Sequence, residues 1–227
     1  MKRFVVALAL VFSAGLIGCA THRGAGTGAV SIVVPPNAAP RVRFGAQKLV
    51  AAFKAEKIPA AITSKGGSGR CIDLNEQEGI AAEGFILTPS ATGGEAILAS
   101  DDSGLLYGCL ELASRIQAAH GWPGAIEFRD QPAMKLRGPC IGLQKTYILP
   151  GRHVYEYPIT PELFPWFYDK KLWTEYLDFL AQNRMNTLYL WSGHPFASLV
   201  RLKDYPYAVE VPPEVFAKNQ AMYRWLA

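Results

Sequence analysis

Cysteine is scarce in this chain: Cys19, Cys71, Cys109 and Cys140 are all there is in 227 residues. There is no CxxC pair, which argues against a zinc ribbon or a dithiol redox motif, and no HExxH, which argues against a metallopeptidase helix. No metal site and no cofactor are expected. The glycine-rich stretch 65–70 is not followed by Gly-Lys-Ser/Thr and opens no helix, so it is not a phosphate loop. Charge of one sign is also missing. The formal net charge is only +4 and drops further if Lys2 and Arg3 are lost, so no nucleic-acid partner is implied.

The N-terminus has a pattern of its own. Lys2 and Arg3 precede an apolar stretch over residues 4–17. It is shorter than the roughly 20 residues of a spanning helix and reads as a signal peptide. It ends in Leu16-Ile17-Gly18-Cys19, which resembles a bacterial lipobox. The resemblance implies lipidation and cleavage at Cys19, with residues 1–19 as signal and lipobox and 20–28 as a flexible tether. The competing reading is an ordinary secretory signal with a chance cysteine. Acyl chains hold a protein at a membrane surface because each buried methylene contributes about 0.8 kcal/mol. The expected location is the bacterial cell envelope, at the outer membrane or cell surface if the host has two membranes. With Cys19 acylated the other three thiols cannot all pair internally. Cys109, on an apolar helical face, and Cys140, in an apolar strand, are expected to be buried.

The remaining chain has ordinary globular composition, 50% hydrophobic and 19% charged. It can form one large domain or two small ones. Residues 29–34 are β-branched and read as a strand; 41–57 carry Val42, Ala46, Leu49, Val50 and Phe53 at helical spacing after Pro40. Residues 60–64, 84–88 and 96–100 read as strands, and Thr92-Gly93-Gly94 signals a hairpin between the last two. Asp101-Asp102-Ser103-Gly104 precedes an apolar stripe of Leu105, Leu106, Cys109, Leu112, Ala113 and Ile116. The acidic pair is better explained as a helix cap than as catalytic carboxylates. Gly108 inside that helix implies close approach to a sheet. Residues 125–131 read as a connector. A strand follows over 135–143, then an aromatic loop over 144–168, a helix over 170–183, a strand over 186–191, a loop over 192–211 and a last helix after Pro212-Pro213. The alternation implies parallel strands in a β/α arrangement.

Several of these segments together resemble one group of enzymes. Glu83-Gly84-Phe85-Ile86-Leu87 and Asp101 through Leu112 look like the accessory N-terminal domain of glycoside hydrolase family 20, which has a counterpart in the family 67 alpha-glucuronidases. Asp130-Gln131-Pro132 and Lys135-Leu136-Arg137-Gly138 resemble the entry into the (β/α)8 barrel of these enzymes. Residues 173–191, ending Asn183-Arg184-Met185-Asn186-Thr187-Leu188-Tyr189-Leu190-Trp191, resemble its first helix and second strand. The resemblance implies an α+β accessory domain of zincin-like topology without metal over 29–131. It further implies the first two units of a TIM-type barrel over 132–227, apparently truncated, since a whole barrel takes roughly 250 residues. The function implied is that of the N-terminal part of an envelope-anchored glycoside hydrolase acting on oligo- or polysaccharides, with its catalytic carboxylates beyond this chain. The rival is a non-catalytic glycan-binding lipoprotein on the same scaffold. Partners would be a carbohydrate and, through the anchor, a membrane; nothing in the sequence fixes the oligomeric state.

The site pattern departs from family 20. Gly142 and Lys145 stand where those enzymes place an aspartate and a sugar-gripping arginine. The second strand ends Trp191-Ser192-Gly193-His194-Pro195 instead of Trp-His-x-x-Asp. Barrel sites form at the C-terminal ends of strands, which leaves three substrate-binding candidates. Lys145 would hydrogen-bond sugar hydroxyls or a carboxylate, or else be a solvated loop lysine. Trp191 would stack on a sugar ring or fill the barrel core. His194 would donate to a hydroxyl or orient an acid, or else stabilise its loop.

Overall fold

The computed structural model describes the chain from residue 29 onward, apart from residues 92, 144, 150, 151, 156, 157, 192–194, 206, 208 and 209. Cys19, the signal and the tether lie outside the described residues.

The first part is a six-stranded sheet with two helices. Its strands are β1 (Val30–Val33), β2 (Ala60–Thr63), β3 (Cys71–Glu76), β4 (Phe85–Pro89), β5 (Glu95–Ala99) and β6 (Phe128–Asp130), in the order β2-β1-β3-β5-β4-β6. The first four in that order are parallel; β4 runs antiparallel to both β5 and β6. Helix α1 (Pro40–Ala55) starts at Pro40, whose missing N–H would have had no helical partner there. It ends before Lys57, which adopts a left-handed φ of 59°. Helix α2 (Asp102–Ala118) is capped as its sequence implied: one Asp101 carboxylate oxygen accepts from Gly104 N at 2.8 Å.

α1 and α2 pack on each other and on the sheet. The core joins Ile32, Ile72, Leu74, Phe85, Leu87 and Ile97 to Val42, Leu49, Phe53, Leu106, Leu112 and Ile116. Gly108 brings the helix close to the sheet, as expected, because a Cβ there would lie 2.3 Å from the Ile97 Cγ2. Cys109 is buried as expected, and burial pushes its thiol pKa up. Strand β3, near the middle of the sheet, was not legible. Its buried residues Cys71, Ile72 and Leu74 are interleaved with Asp73 and followed by Asn75 and Glu76. The expected connector also differs: Phe128–Asp130 adds a strand to the β4 edge.

One carboxyl lies inside this layer. Glu95 is 1% exposed; its Oε1 accepts from Ile126 N at 3.1 Å, and its Oε2 has no partner among the described residues. Burial raises its pKa above the ordinary 4.5, and the Ile126 hydrogen bond opposes this less strongly. A carboxyl whose pKa rises on folding binds its proton more tightly in the native state. Its contribution is therefore full below pH 4.5 and is lost as pH rises through the elevated value. Glu95→Gln keeps the acceptor for Ile126 and removes the titration. Its stability relative to the wild type should grow as pH rises from the acid range to neutrality, as read by thermal melts across that range. A pH-independent difference would sink this assignment.

The second part is built on two parallel strands, β7 (Cys140–Gly142) and β10 (Tyr189–Trp191). Between them lie the hairpin β8 (Lys145–Leu149) and β9 (Arg152–Tyr155), a 3-10 turn over Pro165–Tyr168 and helix α3 (Lys170–Gln182). After β10 come the short helix α4 (Pro195–Leu199) and helix α5 (Pro213–Leu226). Asp169 caps α3 by accepting from Lys171 N and Leu172 N. A second core gathers Leu143, Ile159, Phe164, Phe167, Trp173 and Met222. The aromatic loop thus holds a hairpin, and Phe164 and Phe167 of its described part are buried. Both strands are shorter than expected; ahead of them the two segments stay joined by an irregular mix of backbone and side-chain hydrogen bonds. Arg137 N donates to Asn186 Oδ1, and Asn186 N and Thr187 N both donate to Arg137 O. Among the described residues no helix is long and apolar enough to cross a membrane.

Candidate functional site

The parallel register Cys140↔Tyr189, Ile141↔Leu190, Gly142↔Trp191 brings the C-terminal ends of β7 and β10 level. Leu143 N closes the end by donating to Trp191 O at 2.7 Å. Lys145 opens β8 two residues further on, so its backbone stands at this end; its side chain is outside the described set, as is the whole of His194. Of the three predicted sugar-contacting residues, Trp191 alone has a described side chain. It is 37% exposed, on the same open face as Tyr189 at 56%.

The two faces of this strand pair differ. Ile141 and Leu190 pack on the second core, while Cys140, Gly142, Tyr189 and Trp191 are exposed. Cys140 was expected to be a buried thiol and is exposed. Pleating puts it on the opposite face from Ile141, where nothing described covers it. Beside β7 lies an apolar cleft of about 210 Å³ lined by Ile141, Trp166, Leu172, Trp173 and Tyr176.

The segments that follow the two strands are tied together by a buried polar knot. Asn219 of α5 and Ser198 of α4 are both fully buried. The Asn219 amide donates to Ile159 O at 2.8 Å and Ser198 O at 3.1 Å, and its carbonyl oxygen accepts from Tyr168 Oη. Ser198 Oγ in turn accepts from Ile159 N at 2.8 Å.

A denser polar cluster lies at the other, N-terminal end of the strands. Glu83 accepts from Arg137 Nη2 at 2.7 Å and from Asn186 Nδ2 at 3.0 Å. Arg137 also donates to Tyr107 Oη at 3.2 Å and sits 5.7 Å from that ring. Arg184 pairs with Glu111 at 2.7 Å and Asp130 at 2.9 Å. Burial pulls the Arg137 pKa down, but the hydrogen bond and charge of Glu83 outweigh it and leave the guanidinium more firmly protonated. Burial, then the Glu83 charge, raises the Tyr107 phenol. A cleft of about 150 Å³ opens between these groups. Glu83, Asp130 and Arg137 stand in the motifs that carry the family resemblance, and no site role was expected of them. The available signal was charge in otherwise apolar motifs. Among the described residues no group of three or more His, Cys, Asp or Glu could hold a metal ion.

This mixed α/β architecture is similar to that of solved glycoside hydrolases. A GH138 enzyme targeting the pectin rhamnogalacturonan II matches with 42% identity and a TM-score of 0.73, over 88% of this chain and 29% of that one. A GH115 4-O-methyl-alpha-glucuronidase with specificity for decorated arabinogalactans matches at 18% identity and TM-score 0.50, over 85% of this chain and 28% of that one, which shows the fold alone. An exo beta-N-acetylglucosaminidase of family GH20 from Vibrio harveyi matches at 14% identity and TM-score 0.43, over 71% of this chain and 21% of that one. The narrower expectation of families 20 and 67 remains a resemblance. The chain spans under a third of the length of each of these enzymes. No protein-family model matches the chain, nor does any curated protein.

Proposed function

We propose that this chain is the front part of an envelope-anchored glycoside hydrolase. In this reading residues 29–131 form the accessory α+β domain and 132–227 the first two units of a (β/α)8 barrel, while Cys19 carries the lipid anchor. The catalytic carboxylates belong to barrel strands outside these residues. The observation that carries the reading is the half-covered strand pair. Ile141 and Leu190 face helices, while Tyr189 and Trp191 stand open on the other face. That is the pattern of a barrel wall whose interior is formed by further strands. The apolar cleft beside β7 supports it, lying where a flanking β/α unit would pack. The similarity to a GH138 enzyme targeting rhamnogalacturonan II makes pectic oligosaccharides the first substrate class to try.

The test uses two polypeptides, this chain and a longer one carrying the remaining strands, assayed on rhamnogalacturonan II oligosaccharides, aryl glucuronides and aryl N-acetylhexosaminides. The longer one should hydrolyse one of these classes. The short one should fall below it by at least about 10²- to 10⁴-fold, the loss expected from missing acid catalysis alone. Trp191→Ala in the longer one should weaken substrate binding. Mass spectrometry of the mature protein from its host should find an acylated Cys19 at the N-terminus. Binding without hydrolysis by the longer polypeptide would favour the glycan-binding alternative, and equal turnover by the short chain would refute the placement of the carboxylates. A mature chain starting elsewhere would remove the anchor.

A further inference from the structure

The motif residues that carried the family resemblance are scattered in sequence but meet in one place. Glu83 occupies a left-handed turn, φ 59°, and its N–H donates to Asp101 Oδ2 at 2.7 Å. The other Asp101 oxygen caps α2. Thus the cap of α2 also fixes the Glu83 turn. Glu83 in turn grips two residues with matching positions. Arg137 stands three residues ahead of Cys140, and Asn186 three residues ahead of Tyr189, and Cys140 and Tyr189 are register partners. Both donate to the one Glu83 carboxylate, and they also bind each other: Arg137 N donates to Asn186 Oδ1 at 2.9 Å. Asn186 Nδ2 further donates to Lys135 O, and Arg137 Nε to Arg184 O. The Arg137 and Glu83 side chains are only 15% and 21% exposed, so this pair is shielded from the screening that weakens surface ion pairs.

Two parallel strands cannot be joined by a tight turn, and a short pair alone has little to define its register. The geometry points to a register clamp: the six-stranded layer, through Glu83, holds the N-terminal ends of β7 and β10 level, and so sets Trp191 opposite Gly142 at their far ends. Glu83, Arg137 and Asn186 are positioning residues in this scheme. Trp191 lies five residues beyond Asn186, at most roughly 18 Å away along the chain, so the layer sets the candidate site without touching it. The clamp stands without the glycosidase reading; only its consequence for a sugar site rests on that reading.

Hydrogen–deuterium exchange on the full 227-residue chain tests it. In Glu83→Ala, amides of β7 and β10 should exchange roughly tenfold faster or more, the size of one lost charge-assisted hydrogen bond, while β3 and β5 stay protected. Glu83→Gln, which keeps an acceptor for Asn186, should restore part of the protection. With Arg137→Ala and Asn186→Ala already in place, Glu83→Ala should change β7 and β10 no further. The clamp is overturned if β3 and β5 loosen equally, if β7 and β10 are unmoved, or if the effects of the substitutions simply add. No sugar enters the measurement, so a negative glycosidase assay leaves its outcome intact.

Discussion

Replacing Gly138 with alanine should lower the unfolding midpoint of the second core by roughly 12 to 24 °C, the equivalent of about 3 kcal/mol in a unit of under about 100 residues. A Cβ at this position would lie 1.7 Å from Thr187 O and 2.6 Å from Thr187 C. Those are backbone atoms, so no rotamer change relieves the overlap; the two chains must separate. Neither is free to move. Thr187 N and Asn186 N both donate to Arg137 O, and Tyr189 N donates to Pro139 O, on either side of the contact. Separation would therefore break the approach to β7 and β10 at its tightest point. The first core, with its own strands and helices, should keep its transition. Near-UV circular dichroism follows the second core through the packed rings of Trp166, Phe167 and Trp173. A variant melting within about one degree of the wild type, with that spectrum unchanged, would mean that residues 138 and 187 do not approach.

The sequence revealed structure wherever the interaction was local. α1, α2, α3 and α5 announced themselves by periodic apolar residues, by Pro40 and Pro213 at starts, and by Asp101 as a cap. Thr92-Gly93-Gly94 marked the turn between β4 and β5, which do pair antiparallel. β3 escaped because its polar residues mask a buried half, and β6 because it is a three-residue addition to an edge. The exposure of Cys140 could not be read either, since an apolar strand residue is assigned to a core without knowing which face is covered. The clamp was least legible of all: Glu83 and Asn186 are 103 positions apart, and no local pattern links them. The candidate site was legible only as an address. Trp191 and the start of β8 at Lys145 do come to the same strand ends, and His194 lies outside the described residues. What those ends bind depends on side chains that only a tertiary arrangement brings together.

Asn219→Leu should be the most damaging substitution in α5, lowering stability by about 3 kcal/mol or more. Leucine is close in volume, so little of the effect comes from a cavity. The damage lies in what remains behind. Ser198 O loses its amide donor, Tyr168 Oη loses its Asn219 acceptor, and Ile159 O is left with only the Tyr168 hydroxyl at 3.3 Å. Each buried polar group left unmatched costs about 1 to 3 kcal/mol. Asn219→Asp separates this from a steric explanation. It keeps an acceptor for Tyr168 but turns a carboxylate toward two carbonyl oxygens, and Tyr168, its pKa pushed up to about 12 chiefly by burial, remains a neutral phenol that offers a single proton. The aspartate variant should therefore be destabilised as well, most severely above the usual carboxylate range, and should recover partly on acidification as the carboxyl gains a proton to donate. Urea unfolding of both variants across pH measures this. If the leucine variant matches the wild type, or the aspartate variant shows no recovery at low pH, then the knot does not join α4, α5 and the segment before α3 in the way its hydrogen bonds indicate.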